Sequence, residues 1–153
     1  MKKIILFISI SLFYVLAINA QTREESREKI KALKVAYLTE QLSLTTEEAQ
    51  KFWPIYNKFD KEQNDLRINY KSVLRQSIKS TEEIDSLNEA DAKKLIALKL
   101  LTDKQLYESQ KNFIIKMEGI LSAKKIIKLQ ISEMDFARKL MKKYRKKRSD
   151  SKD

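Results

Sequence analysis

The side chains that dominate enzyme and metal chemistry are missing from this sequence: its 153 residues include no histidine and no cysteine. Imidazole and thiolate supply most zinc, copper and nickel ligands, and imidazole is the commonest general base. No metal centre, cofactor or catalytic triad is expected, and the chain reads as non-enzymatic. Carboxylates do stand in pairs, at Glu47-Glu48 and Glu82-Glu83. Neighbours in a helix point about 100° apart, and the dipole at a helix start favours acids there in any case. Both pairs are therefore read as features of helix starts.

Two clusters could bind without reacting. Phe52, Trp53, Tyr56 and Phe59 form the densest apolar feature after the N-terminal run. Aromatics at helical spacing bury against a neighbouring helix first of all. The alternative is a partly exposed patch for a partner's apolar segments, and Trp53 fits it best because it lies off the main seam. The second cluster is cationic: Arg138, Lys139, Lys142, Lys143, Arg145, Lys146, Lys147 and Arg148 make eight of the eleven residues in 138–148 basic. Such a run is either a solvated helix end that complements the dipole or an electrostatic surface for lipid headgroups, lipopolysaccharide or acidic clients.

The elements that position these clusters begin with an export signal. Met1-Lys2-Lys3, an apolar run over 4–18 and Asn19-Ala20 match a secretory signal peptide, with cleavage expected after Ala20. At fifteen residues the run is short for a membrane span of roughly 20. If uncleaved, it would tether the protein; without a cysteine there is no lipoprotein anchor. The expected location is the periplasm, which turns the basic cluster away from nucleic acid. Removing Lys2 and Lys3 from 32 Lys and Arg leaves 30 against 21 acids, a net charge of +9 on 133 residues. That length suits one domain, taken as 21–148, with 149–153 a disordered tail.

One Gly and one Pro, Gly119 and Pro54, leave little with which to build hairpin turns. The expected fold is all-α: four helices arranged as a long antiparallel hairpin with flanking helices, elongated or cradle-like. The first helix spans 23–41, with Ile30, Leu33, Tyr37, Leu38 and Gln41 on one face. After a break at Leu42-Ser43-Leu44, Thr45 and Glu48 form a capping box that starts the second helix, which extends to about residue 79. Its seam is Phe52, Tyr56, Phe59, Gln63, Leu66, Tyr70 and Val73, with a kink expected ahead of Pro54. A loop over 80–88 leads to the third helix, about 89–118, whose stripe is Leu95, Leu98, Thr102, Leu106, Ser109, Phe113, Met117 and Ile120. Gly119 is expected as a left-handed C-cap. Ser122 then caps a fourth helix to about 148, whose broad apolar face includes Ile126, Ile127, Leu129, Gln130, Met134, Ala137, Leu140, Met141 and Tyr144. Long helices of this kind leave apolar surface to cover, and a homodimer is expected.

Leu44-Thr45-Thr46-Glu47-Glu48-Ala49-Gln50 followed by Phe52-Trp53-Pro54-Ile55-Tyr56 resembles the opening of the helical repeat in the Spy/CpxP-like LTXXQ superfamily. More closely it resembles the exported Bacteroidetes proteins called sensors of extracytoplasmic-function (ECF) sigma factors. A second copy of the motif starts at Leu121-Ser122, and the similarity runs on through Leu129, Glu133, Phe136 and Leu140 to the basic end. Glu48 stands where the superfamily pattern has Gln, and Lys125 occupies that place in the second copy. The resemblance implies an all-helical, cradle-like, dimeric periplasmic protein tied to envelope stress. Its partners would be envelope proteins or unfolded clients. Metal sensing by related proteins uses histidines, which this chain lacks.

Overall fold

The computed structural model describes residues 25–26 and 28–150, apart from the side chains of Thr81, Glu82, Lys147 and Arg148. The signal peptide over 1–20, the first residues of the expected first helix and residues 151–153 of the expected tail lie outside the described residues. The fold is all-α, with four helices and no strand among the described residues. Helix α1 covers 28–42, α2 is Thr46–Ser77, α3 is Glu89–Glu118 and α4 is Ala123–Ser149. A single 3₁₀ turn, Thr81–Ile84, sits in the connection between α2 and α3.

The backbone clusters into two units, one formed by residues 44–127 and the other by residues up to 43 together with those from 128. In the first, α2 and α3 pack as the expected hairpin, each about 45–50 Å long at 1.5 Å per residue. The seams meet as their spacing requires. Phe52, Tyr56 and Gln63 are buried from α2, while Thr102, Ser109, Phe113 and Met117 are buried from α3. The aromatics form a chain of contacts. Phe52 stacks on Tyr56 at 5.1 Å, Tyr56 meets Phe113 edge-on at 6.1 Å, and Phe59 lies nearly parallel to Phe113 at 4.1 Å. Burying each such ring contributes about 1.5–3 kcal/mol.

Gln63 adds register to this apolar seam. Its Nε2 donates to the Leu106 carbonyl at 2.9 Å, and its Oε1 accepts from the Arg67 guanidinium at 2.8 Å. Sliding the helices by a turn would strip a buried amide of its partner, a cost of roughly 1–3 kcal/mol. Ser109, also buried, has no hydrogen-bond partner for its hydroxyl among the described residues. Its small volume lets the two helices approach.

The second unit pairs α1 with α4. Leu38, Leu42 and Leu129 are almost wholly buried. Around them Tyr37 meets Phe136 at 5.7 Å, the Lys139 ammonium lies 4.6 Å from the Tyr37 ring, and Lys34 sits 3.8 Å from Glu133. Leu33, expected on the buried face of α1, is half exposed.

Helix boundaries follow their caps. Asn88 starts α3 by accepting from the Asp91 amide at 2.9 Å, and Ser122 starts α4 by accepting from the Lys125 amide at 3.3 Å. Helix α2 runs unbroken through Pro54 and stops at Ser77, two residues earlier than expected. Ser149, placed in the tail by sequence, is the last residue of α4.

Gly119 departs from expectation. Its φ of −79° and ψ of −6° are right-handed, because the chain continues the helical curl to place the Ile120 and Leu121 amides on the Met117 carbonyl. The left-handed position is Ser43, at φ 48°, in the turn that ends α1.

Two stability measurements follow. Phe113→Ala should cost about 3–5 kcal/mol, as for other buried Phe truncations, read as a lower urea midpoint. Gly119→Ala should instead stabilise by about 0.4–1 kcal/mol, because its φ suits alanine and the new Cβ meets only the Lys116 carbonyl oxygen at 3.6 Å. A left-handed cap would give the opposite sign.

Candidate binding surfaces

At the start of α2, Thr45 and Glu48 form the reciprocal box read from sequence. The Glu48 amide donates to Thr45 Oγ1 at 3.2 Å, and the Thr45 amide donates to Glu48 Oε2 at 2.9 Å. The same carboxylate oxygen accepts from Lys125 Nζ at 2.6 Å. Glu48 and Lys125 are the third residues of α2 and α4, and their charges answer each other. A lysine in a first helical turn opposes the dipole, and the Glu48 charge beside it offsets that. The Lys125 ammonium, and then the Thr45 amide, hold the Glu48 carboxyl below its ordinary value. Leu44 is half-buried and Leu121 buried, so each motif leucine seats its helix start against the core.

The other paired acids also serve local structure. Glu47 is lowered mainly by its own backbone amide and then by the Thr45 hydroxyl. Glu83 accepts from the Lys79 amide at 2.9 Å and closes the loop; the Glu82 side chain lies outside the described residues.

Of the proposed aromatic patch, Phe52 and Tyr56 are core: they are 0% and 2% exposed. They face α3, since their four-residue spacing puts them on the same seam as Gln63, and a partner cannot reach them. Trp53 and Phe59 are half-buried. Trp53 packs edge-on against Phe52 and Tyr56, at 4.9 and 5.5 Å, and leaves part of its indole at the surface. Beside Phe59 and Phe113 lies a shallow cleft of about 180 Å³, rimmed by Lys58, Glu62, Asn112 and Lys116, with Ser109 in its lining.

The basic cluster divides by side-chain position. Lys139 donates to Tyr37 Oη at 3.3 Å as well as covering its ring, so part of its charge is committed to the α1–α4 contact. Arg138 lies 3.4 Å from Asp135. Lys142, Arg145 and Lys146 are exposed. Lys143 borders an apolar groove of about 650 Å³ between α1 and α4, with Lys29, Ile30, Leu33, Leu140 and Tyr144 also lining it. The Lys147 and Arg148 side chains lie outside the described residues.

Sequence reasoning missed the outer face of α3. Ile96, Leu100 and Tyr107 are each more than 60% exposed, and they fall on the side of the helix roughly opposite Thr102, Ser109 and Phe113. Leu101 and Ile115 add to the apolar surface of the same helix. The signal was present as a second apolar register at 96, 100 and 107, masked by the stronger seam on the other side.

Among the described residues, no cluster of acids is arranged to hold a metal ion, and no helix is long and apolar enough to cross a membrane. Comparison with family models, curated proteins and solved structures returned no match.

The helix-start ion pair has a pH signature. A carboxyl held below its unfolded value contributes stability above the unfolded pKa of about 4.3, and that contribution disappears as pH falls through the native value. Glu48→Gln should therefore flatten the acid limb of a Tm-against-pH curve while leaving its slope above pH 7 unchanged. Lys125→Glu should lower Tm at neutral pH, and adding Glu48→Lys should restore part of the loss.

Proposed function

We propose that this protein is a non-enzymatic periplasmic binding protein that takes up exposed apolar segments of envelope proteins. It would act as a chaperone or as the sensing input of an ECF sigma-factor pathway. One observation carries the reading: the outer face of α3 presents Ile96, Leu100 and Tyr107 to solvent, although the helix already buries an apolar seam on its opposite side. A helix with two apolar faces and one intramolecular neighbour has a face to spare, and exposed apolar patches mark sites of association. The export signal read from the sequence and the resemblance around Leu44–Tyr56 support an association in the envelope. The lack of histidine and cysteine turns the reading away from catalysis.

The periodicity of the stripe favours one further reading. Ile96, Leu100 and Tyr107 are spaced by four and seven, the pattern that receives a single amphipathic helix. A permanently bound helical subunit, from a membrane or periplasmic partner or from a second copy of this chain, would occupy it.

Purified protein lacking residues 1–20 should suppress aggregation of unfolded acidic clients, and the Leu100→Ser/Tyr107→Ser pair should weaken suppression several-fold with helix content and Tm unchanged. No suppression across several clients removes the chaperone role. Recovery of one stoichiometric partner from envelope extracts, in place of many substoichiometric ones, selects the subunit reading.

A further inference from the structure

Helix α4 also has two apolar faces, and its second one differs in kind from that of α3. Leu129 and Ser132 are buried, and Phe136 faces Tyr37 of α1. Ile127, Ile131, Met134 and Met141 are instead 50–60% exposed. Their steps of four, three and seven residues gather them into one strip, roughly opposite the buried side chains. The broad apolar face read from sequence is in fact two faces back to back.

Charge sets this strip apart. Helix α4 holds eleven Lys and Arg against Glu133 and Asp135, a net +9 of the +11 carried by the whole chain. Lys124, Lys128, Lys142 and Lys146 run along one border of the strip, and Arg138 and Arg145 stand within it. All six are exposed. Two copies meeting through this face would bring these six cations against the same six, which opposes self-association. The cations also spread over the 23 residues from Lys124 to Lys146, about 33 Å of helix at 1.5 Å per residue. That suits a continuous field of anions better than the few carboxylates of one acidic segment.

We propose that the outer face of α4 docks on an anionic lipid bilayer. The helix lies parallel to the membrane plane, with Ile127, Ile131, Met134 and Met141 in the boundary between headgroups and acyl chains. The bordering lysines and arginines lay their alkyl stems along the strip and keep their charges over the headgroups. The residues packed against α1 are not involved, so docking needs no unfolding of the α1–α4 pair. This contact is separate from the capture of apolar segments on α3, and each can fail without the other.

The test uses protein lacking residues 1–20 and co-sedimentation with phosphatidylglycerol-containing or pure phosphatidylcholine vesicles. Binding is expected to the anionic vesicles alone and should fall as salt rises. Ile131→Ser/Met134→Ser and, separately, Lys142→Glu/Lys146→Glu should each weaken it about tenfold or more, with helix content and Tm unchanged. Absence of binding to anionic vesicles overturns the proposal, as does binding indifferent to the Ile131 and Met134 changes. A dimer in lipid-free solution that these two changes dissociate would reassign the face to a second copy. Equally tight binding of soluble polyglutamate, with the same dependence on Ile131 and Met134, would reassign it to an acidic protein.

Discussion

The contact between Phe59 and Phe113, with Tyr56 edge-on beside them, is the interaction on which the α2–α3 hairpin rests. It ties the middle of α2 to the last third of α3 and so is made against the loop-closure entropy of the long stretch between them. Once those rings are stacked, the rest of the seam follows by periodicity. Gln63 then finds the Leu106 carbonyl, and Thr102 turns its hydroxyl back onto the Leu98 carbonyl at 2.8 Å, so these two buried polar side chains are paired, while the Ser109 hydroxyl stays without a partner among the described residues. The apolar rings supply the free energy, and the polar groups fix the register.

The helix starts are settled by a different physics. Each copy of the repeated motif opens a helix with a hydroxyl cap, Thr45 in one and Ser122 in the other. In the first, Glu48 completes the box in the usual way. In the second, Lys125 has the wrong charge for a helix N-terminus, and the structure accommodates it by turning it onto Glu48. One carboxylate oxygen thus serves the cap of α2 and neutralises a cation at the start of α4. Together the two residues make a cross-link between the starts of two helices.

Helices α3 and α4 share a feature: each is apolar on two opposite sides and, among the described residues, has its packing partner on one of them. What separates them is charge. The outer stripe of α3 sits among mixed charges, with Lys99 and Asp103 paired beside it, and suits an apolar segment of either sign. That of α4 sits in nearly all of the chain's net positive charge. The two surfaces therefore select different chemistries.

Much of this was legible in the residues themselves, because composition and period are local properties. Scarce Gly and Pro dictated helices, and steps of three and four identified nearly every buried residue of α2 and α3. Thr45 and Ser122 marked two of the helix starts. The expected export signal lies outside the described residues and rests on the sequence pattern alone. Tertiary structure decided what period could not: which of two apolar registers on α3 and α4 turns inward, that Gly119 keeps a right-handed conformation while Ser43 takes the left-handed one, and that Glu48 meets Lys125 across 77 positions. A helix that is apolar on both sides has no local preference between them, and only the neighbour that arrives from elsewhere in the chain breaks the tie.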